Sequence, residues 1–535
     1  MKSGFQARIA KLTHQELAVI GILLALPAFL LNLGMSPIIG DEGIRTLVAL
    51  EMKLSGNFIV PTMNGELYLN KPPLYNWFIF FISELMNDYG EWPSRCLTLF
   101  FLMLFAITVY YWNCKYGMDN DSLTLTFMLL SSGRILFWDS MYGLIDICFS
   151  WVVYLNMMLM YHYGKAGQWN KLMFQSYLLC AIAFLLKGLP ALVFQSVSIL
   201  FTFWFYGVLH KYLFSWKHFI GALMGMLPVM TYYLAYMAYV PLDQVFGVLF
   251  EQSMQRTATH HGLLKTLLHL ITFPFEQIYH FLPWSLMILL LFQRNAFKGI
   301  LENQFIRFNA MILLANIPVY WLSVEVYPRY LLMFIPLFNS VVYYLYVKWK
   351  EHHPTRDHNL HQICKYLALL LTIASMGILW YTPLAALFDV KWIFVVSFLV
   401  LLLSLMPMWN YSMRWIFYFA LFLLSLRIVF DITILPVVSY SDNRHRVRTD
   451  VQRLDSLYPD QKWYVFDSTE THMIARFYTS KYHNQIITQV NEMDDPEGLY
   501  IVDPKKFPGL PSIKVDSLII ESGEWFHLVK KISSE

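Results

Sequence analysis

The chain has 535 residues, of which 57% are hydrophobic and 14% are charged, whereas an average soluble domain has roughly 25% charged residues. This composition excludes a soluble protein, and the formal net charge of +3 is too small to indicate nucleic-acid binding. The five cysteines show neither a disulfide framework nor zinc-type spacing. We therefore expect a polytopic α-helical membrane protein that has no nucleic-acid partner.

About thirteen windows of mostly apolar residues recur along residues 1–434, and each is long enough to cross a hydrocarbon core of ~30 Å. The first window follows Lys2, Arg8 and Lys11 without a small-residue cleavage site, so we expect a retained anchor with a cytoplasmic N-terminus. Lys and Arg in alternate short loops agree with this topology. The sequence predicts a transmembrane domain at 1–434, large external loops at 35–96 and 239–278, and an external tail at 435–535.

The first external loop opens with a predicted amphipathic helix. Between Glu42 and Leu54, the polar residues Arg45, Thr46 and Lys53 share one face with Glu42, and apolar residues cover the other face. Such a pattern is typical of a helix that lies flat in the membrane interface.

A hairpin and a second helix follow in the same loop. Asn64 and Gly65 give the strongest short-range hairpin signal, because both turn positions tolerate positive φ. Pro72 and Pro73 suit the start of a helix, where a missing N–H costs nothing. The two prolines would therefore hold Lys71 at that start with limited freedom.

The tail differs in character from the rest of the chain. Four runs rich in β-branched and aromatic residues are predicted strands, and a helical run lies between the first two. We therefore expect a small external α/β domain. The strands are predicted at 462–468, 485–490, 499–504 and 516–522, and the helix at 471–480.

Three acidic residues of the first loop are candidates for chemistry or for structure. Asp41 and Glu42 directly follow the first span, where they would serve acid or base work or simply favour the helix dipole. Glu51 lies in the middle of the apolar face, so it requires a buried partner, and we expect a structural ion pair.

Charged residues also lie at the predicted outer ends of spans. Asp146 is a functional candidate by default, because a carboxylate in apolar surroundings is rare. Lys187 lies at a predicted outer end, although basic residues normally accumulate on the cytoplasmic side of the membrane. This exception favours an anionic ligand at Lys187. Lys71 would bind phosphate or extend toward lipid headgroups. Arg329 and Tyr330 would belong to a site or to an interfacial aromatic belt.

The second external loop contains Glu251, Arg256, His260 and His261. Adjacent histidines are weak indicators of a metal site, since neighbours on a helix point ~100° apart. Together with the span ends, these residues gather basic and acidic groups from distant segments at one face of the membrane. A lipid phosphate or diphosphate requires such positive charge before it can leave.

The run "GDEGIR" followed by "ALEMKLSGNFIVPTMNGELYLNKPPLYNW" makes the chain similar to a known superfamily. It resembles the polyprenyl-phosphate-sugar-dependent membrane glycosyltransferases of the aminoarabinose transferase and protein O-mannosyltransferase superfamily, which have the C-type glycosyltransferase fold. The resemblance spans roughly residues 10–345 and includes "LID", "LLKGLP", "HHG" before "FLPWS", and "YPRYLLMFIPLF". About thirteen spans and an external α/β tail fit the aminoarabinose transferase branch.

The resemblance implies roles for individual residues. Asp41 matches the catalytic aspartate, Asp146 the second acidic residue and Lys71 the donor-phosphate lysine. Arg256 matches an arginine of the second large loop. Arg329, Lys187 and Tyr330 are further candidates at the donor phosphate, and Glu42, Arg45 and Glu51 are candidates for substrate binding or support.

The histidine pair, His260 and His261, matches a pair that in some relatives shares a metal with a glutamate just before Lys-Pro-Pro. Asn70 stands at that position here, and a neutral amide is a poor zinc ligand. A divalent metal is therefore disfavoured, and no cofactor is required. Ile44 replaces the usual arginine three places after the aspartate, with Arg45 next to it, which points to a different donor sugar or acceptor.

The implied activity is inverting transfer of a hexose or pentose from an undecaprenyl-phosphate-type donor. The acceptor would be lipid A, another envelope glycolipid or glycan, or a protein hydroxyl, at the periplasmic face of a bacterial cytoplasmic (inner) membrane. A transporter of lipid or solute is the alternative, and a scaffolding subunit is a third. Transporters usually place charges near the bilayer midplane within inverted repeats, and the sequence has no visible repeat.

Overall fold

The structure is a computed structural model that describes residues 12–254 and 262–532. Within this part, seven helices are long and apolar enough to cross a membrane by length and composition. The chain is thus an integral membrane protein, while the predicted number of about thirteen spans stays a prediction. The seven are Glu91–Tyr116, Trp169–Lys187, Trp216–Tyr236, Pro328–His352, Pro354–Trp380, Val390–Met408 and Trp415–Ser441, and the shorter apolar helices are His14–Leu30, Leu74–Met86 and Pro190–Phe205.

Shorter or more polar helices complete the membrane domain. Three of the long spans combine α and 3₁₀ geometry: one begins with a 3₁₀ segment at Pro328–Phe334, and two end with 3₁₀ segments at Ser375–Trp380 and Met406–Met408. The remaining α-helices are Gly40–Ser55, Ser122–Leu130, Ile145–Lys165, Leu209–Tyr212, Leu242–Met254, Leu263–His280, Ala296–Glu302, Gln304–Asn316, Pro318–Trp321 and Thr382–Ala385, with 3₁₀ turns at Asp119–Asp121 and Trp284–Phe292 and a π-helical turn at Ile135–Asp139.

The first external loop has the predicted order of helix, hairpin and helix. The first helix is Gly40–Ser55, and β1 (Thr62–Met63) pairs antiparallel with β2 (Glu66–Leu67). The two turn residues have positive φ, 60° at Asn64 and 79° at Gly65, as the hairpin signal predicts. The second helix, Leu74–Met86, begins directly after the two prolines.

The polar face of the Gly40–Ser55 helix is not exposed, so the predicted interfacial helix is wrong in this respect. Glu42, Arg45 and Thr46 are nevertheless buried. Glu42 pairs with Arg95, and Arg45 lies beside the Tyr68 ring, while a helix of the tail, Met473–His483, packs against the same helix through Gly43 and Leu47. Lys53 is half-exposed and pairs with Glu84 on the neighbouring helix. Amphipathic periodicity alone cannot tell a water-facing polar stripe from one that is covered by other segments of the chain.

The tail is the predicted α/β domain. It contains the helices Asn443–Leu457 and Met473–His483 and a five-stranded sheet in the order β4-β3-β5-β7-β6. β3 pairs parallel with β4 and β5, whereas β7 pairs antiparallel with β5 and β6. The final strand was not predicted. The strands are β3 (Trp463–Phe466), β4 (Gln489–Val490), β5 (Leu499–Val502), β6 (Ser512–Ile519) and β7 (Trp525–Lys531).

The core of the tail includes residues from the first external loop. Ile38 and Leu47 are fully buried and belong to the same apolar cluster as Trp463 and Phe477 of the tail. Each such side chain contributes roughly 1.5–3 kcal/mol by leaving water. The tail therefore packs against the segment that carries Asp41 and stabilises its position.

Candidate active site

Four charged residues from four distant segments form a chain of ion pairs. Arg329 donates to the Asp41 carboxylate, and its Nε lies 3.3 Å from Asp146 Oδ2. Lys187 Nζ donates to Asp146 Oδ1 at 2.5 Å. The Asp146 side chain is only 4% exposed, whereas that of Asp41 is 56% exposed. Asp41 is thus the solvent-facing end of a chain whose other end is buried.

Helix ends position the members of this chain. Asp41 lies in the first turn of Gly40–Ser55, and Asp146 lies in the first turn of Ile145–Lys165. Lys187 is the last residue of Trp169–Lys187. Carboxylates are favoured at helix N-termini and cations at C-termini, because the peptide dipoles leave partial charges of opposite sign there. Helix ends therefore favour the charges of Asp41, Asp146 and Lys187, and the packing of these helices brings the three residues together with Arg329.

Tyrosine rings lie beside the two cations. Lys187 Nζ lies 3.8 Å from the centroid of the Tyr330 ring, and the Arg329 guanidinium carbon lies 4.5 Å from that of Tyr327. Such contacts stabilise cations more strongly when water is excluded. Tyr330, which sequence analysis placed at the donor phosphate, is buried against Lys187.

Lys71 lies next to this chain, at the turn before the second loop helix. It lines a crevice together with Tyr68, Pro72 and three tyrosines of the Trp216–Tyr236 helix. Gly188, directly after Lys187, has φ of +80°, and a Cβ there would lie 3.8 Å from Pro72 Cδ. The Lys-Pro-Pro turn and the Lys187 turn therefore pack against each other.

Glu42 does not join the ion-pair chain. Its carboxylate is fully buried and accepts from Arg95 Nε at 2.8 Å and from Arg95 Nη2 at 3.0 Å. It also accepts from the backbone N–H of Gly143 at 2.7 Å, three residues before Asp146. Glu42 thus ties the Asp41 helix to the segment that carries Asp146, which is a supporting role.

Glu51 is satisfied by the hairpin. It accepts from Thr62 Oγ1 at 2.8 Å and from the backbone N–H groups of Asn64 and Gly65 at 2.5 and 3.2 Å. Burial raises the pKa of Glu51, although these hydrogen bonds oppose the shift. These contacts fit a structural role, and within the described residues hydrogen bonds take the place of the expected ion pair.

Arg45 supports the crevice near Lys71. It is 7% exposed, and its guanidinium carbon lies 5.6 Å from the centroid of the Tyr68 ring, which lines the same crevice as Lys71. Arg45 therefore contacts a ring that lines the crevice, and it is not a member of the Asp41 chain of ion pairs.

A third acidic group, Asp139, lies near the chain of ion pairs and was not predicted. Asp139 is fully buried, and its Oδ2 lies 3.1 Å from Arg134 Nε. Burial raises the pKa of Asp139 to about 7, with the negative charge of Asp146 adding to the shift and Arg134 and Arg329 opposing it. The sequence contains a signal for this pair, because an acid and an arginine five residues apart at the edge of an apolar window are functional candidates on the same grounds as Asp146.

Three predicted residues, Arg256, His260 and His261, lie outside the described residues. Within 12–254 and 262–532, no group of three or more His, Cys, Asp or Glu side chains is placed to hold a metal ion. The prediction that a metal is disfavoured therefore stays a prediction.

Comparison with solved structures supports the fold. The chain superposes on ArnT from Cupriavidus metallidurans bound to undecaprenyl phosphate with a TM-score of 0.69 and 16% sequence identity, covering 98% of this chain and 99% of that one. For ArnT from the same organism in the apo state, the TM-score is 0.64 at 15% identity, with 96% and 97% covered. No protein-family model matches the chain, and no curated protein matches it. The chain therefore has the C-type glycosyltransferase fold of the aminoarabinose transferase ArnT, as the sequence predicts.

Proposed function

We propose that the protein transfers a sugar from an undecaprenyl-phosphate-type donor to an acceptor of the bacterial cell envelope. The observation that carries this proposal is the chain from Asp41 through Arg329 and Asp146 to Lys187, packed beside the Lys71 turn. A structure with the same fold was solved with undecaprenyl phosphate bound. An accessible carboxylate that pairs with Arg329, with Lys187 in the same chain of ion pairs and the Lys71 turn near Lys187, suits a reaction in which a phosphate leaves and a hydroxyl attacks.

Each residue then has a distinct task. The acceptor oxygen attacks the anomeric carbon from the side opposite the phosphate, the bond from that carbon to the phosphate oxygen breaks, and its electron pair stays on the phosphate. Asp41 accepts the proton of the attacking hydroxyl, because it is the exposed carboxylate of the chain. Lys71 and Arg329 stabilise the charge that grows on the leaving phosphate.

Asp146 is a positioning residue in this scheme. It is buried between Lys187 and Arg329, so it orients both cations and has no access to an acceptor proton. Uncompensated, two cations this close would repel each other in a low-dielectric site. The Asp146 carboxylate removes that cost before the donor arrives.

An apolar cavity beside the ion-pair chain suits the polyprenyl part of the donor. It has a volume of about 270 Å³ and is lined by Leu331, Phe334 and Ile335, which follow Arg329 and Tyr330 in the sequence. Phe273, Phe281 and Trp321 contribute to the opposite wall. A phosphate held at Arg329 would therefore have an apolar surface next to it.

The transporter alternative predicts charges within the membrane interior. Asp41, Asp146 and Lys187 instead lie at helix ends, which favours chemistry at one face. A scaffolding subunit would have no need for an accessible carboxylate among cations.

The proposal is tested by single-turnover transfer in nanodiscs with a panel of undecaprenyl-phosphate pentoses and hexoses and an envelope lipid extract. We expect sugar transfer that Asp41→Asn lowers by on the order of 10² or more and that the surface variant Glu84→Gln retains. Donor translocation without any transfer product would refute the enzyme and favour the transporter. Mass spectrometry of envelope lipids, glycans and proteins from a deletion strain identifies the acceptor, including the lipid A possibility. Activity that survives chelators would support a reaction without a metal.

We further propose that the protein lies in the inner membrane with this site and the tail on the periplasmic side. None of the five cysteines lies in the tail, so a single cysteine at the exposed position Lys514 reports its location. Labelling of Lys514→Cys by a membrane-impermeant reagent from the periplasm is expected, and labelling only from the cytoplasm would refute this topology.

A further inference from the structure

A polar pocket lies where the tail meets the membrane helices, apart from the candidate active site. It has a volume of about 320 Å³ and shares no lining residue with the Asp41 chain. Its walls come from the turn after His14–Leu30, the start of Glu91–Tyr116, the end of Trp415–Ser441 and the helix Asn443–Leu457. The residues that line it include Asn32, Met35, Trp92, Tyr440, His445 and Arg448.

We infer that this pocket binds the anionic phosphate headgroup of a membrane lipid, at a site separate from that of the sugar donor. Arg448 and His445 supply the polar contacts, since Arg448 Nη2 lies 3.0 Å from His445 Nδ1 and both side chains line the pocket. Arg448 also donates to Glu91 at 3.1 Å, which fixes its guanidinium at the wall. A planar guanidinium has five N–H donors, so this pairing leaves further donors for a phosphate.

The segment that carries His445 and Arg448 has a net positive charge, because one of its three arginines is not neutralised. Arg444 is neutralised by Asp442, and Arg448 by Glu91. Arg446 is exposed, and within the described residues it has no ion-pair partner. Burial and the neighbouring Arg448 lower the pKa of His445. In the neutral ring Nδ1 accepts from Arg448, which leaves the Nε2–H as the donor to a phosphate.

The position of this basic run is unusual for its side of the membrane. Three arginines occur within five positions directly after the last membrane helix, on the side that the proposed topology places outside. Basic residues next to membrane helices normally accumulate on the cytoplasmic side. An anionic headgroup provides a reason for this basic run, because positive charge next to the membrane surface attracts anionic lipids.

The surfaces below the pocket suit acyl chains. Leu30 and Leu31 directly precede Asn32 and are 43% and 37% exposed, and Ile434 and Val438 on the last membrane helix are 38% and 52% exposed. The helices His14–Leu30 and Trp415–Ser441 pack against each other. These exposed side chains therefore form an apolar surface that continues from the pocket along the two helices. Trp92 and Tyr440 are 42% and 45% exposed at its rim, where aromatic residues accumulate at membrane interfaces. This arrangement favours a lipid phosphate over a free one.

The test is native mass spectrometry of the purified full chain in detergent, titrated with phosphatidylglycerol or phosphatidylcholine and without any sugar donor. The variants are His445→Gln, Arg448→Gln and Met35→Trp, the last of which fills the pocket without changing charge. Arg453→Gln is the matched control, because Arg453 lies on the same helix but pairs with Asp450 and Asp516. Since no transfer is measured, the result is independent of the proposed enzyme activity.

We expect the wild type to prefer phosphatidylglycerol by about fivefold or more, as one effective charge contact predicts. His445→Gln and Met35→Trp should lose this preference, and Arg453→Gln should keep it. An unchanged preference in folded His445→Gln and Met35→Trp would overturn the inference, as would an equal loss in Arg453→Gln. Displacement of the lipid by micromolar inorganic phosphate would overturn the lipid part. If Arg448→Gln fails to fold, the other two variants still decide the question.

Discussion

Replacing Glu42 by glutamine should destabilise the protein severely, although its place in the first turn of a helix would alone predict a mild effect. Glu42 and Arg95 are both fully buried and joined by two hydrogen bonds of 2.8 and 3.0 Å. Arg95 also donates to the Leu33 carbonyl. Glu42→Gln keeps the shape of the side chain but leaves the Arg95 charge without its carboxylate.

The expected loss is about 3–5 kcal/mol, the range for removing one partner of a buried ion pair. The matched control is Glu84→Gln, because Glu84 pairs with Lys53 at 2.9 Å while both side chains are roughly half-exposed, 45% and 40%. An exposed pair of this kind contributes little to stability, because water screens the two charges. The comparison therefore isolates burial from the loss of one charge.

The assay is thermal unfolding of both variants in the same detergent and at the same scan rate, since membrane proteins of this size unfold irreversibly. Glu42→Gln should lower the apparent midpoint by far more than Glu84→Gln. The double variant Glu42→Gln with Arg95→Met should recover part of the loss, because it removes the unpaired charge. Equal midpoints for Glu42→Gln and Glu84→Gln would refute the reasoning.

Four further predictions concern the candidate site and its surroundings. Asp41→Asn should lower single-turnover transfer by on the order of 10² or more while donor binding in nanodiscs survives, and near-normal transfer would contradict a base role. Lys71→Ala should weaken donor binding as well as rate, and Lys71→Arg should recover only part of each in the same assay. Burial raises the pKa of Asp139 from 3.8 to about 7, so the stability that the neutral acid contributes is complete below pH 4 and is lost as pH rises through about 7; thermal midpoints between pH 5 and 8 should therefore fall less in Asp139→Asn than in the wild type. Tyr478→Phe removes an acceptor for the buried N–H of Ile38 at 3.1 Å and should lower the apparent thermal midpoint, reflecting a loss of roughly 1–3 kcal/mol.

Local signals predicted the first external loop almost completely. Asn64 and Gly65 form the expected turn, and Pro73 directly precedes the second helix. These features depend on residues close in sequence, because a turn or a helix start is decided by the φ preferences of a few neighbours. The same holds for four of the five tail strands, whose β-branched and aromatic runs identify them.

Contacts between distant segments could not be predicted in this way. Tyr478 of the tail donates to Glu91 at 2.7 Å and accepts from the N–H of Ile38, three residues before Asp41. Periodicity does not record which segments pack against a polar face, so the burial of Arg45 and Thr46 was missed. Asp139 and Arg134 are close in sequence, so the pair itself was predictable. Its interaction with the charges of Asp146 and Arg329 depends on packing and was not.

Asp41 and Glu42 make the limit of local reasoning plain. The two acids are adjacent in sequence and lie in the same helix turn, and no local rule distinguishes them. On a helix they point about 100° apart, so Asp41 faces outward toward Arg329 while Glu42 faces inward toward Arg95. The first remains accessible to an attacking hydroxyl, and the second is a buried ion pair. Because the partners come from other helices, only the packing of those helices decides which acid is available for chemistry.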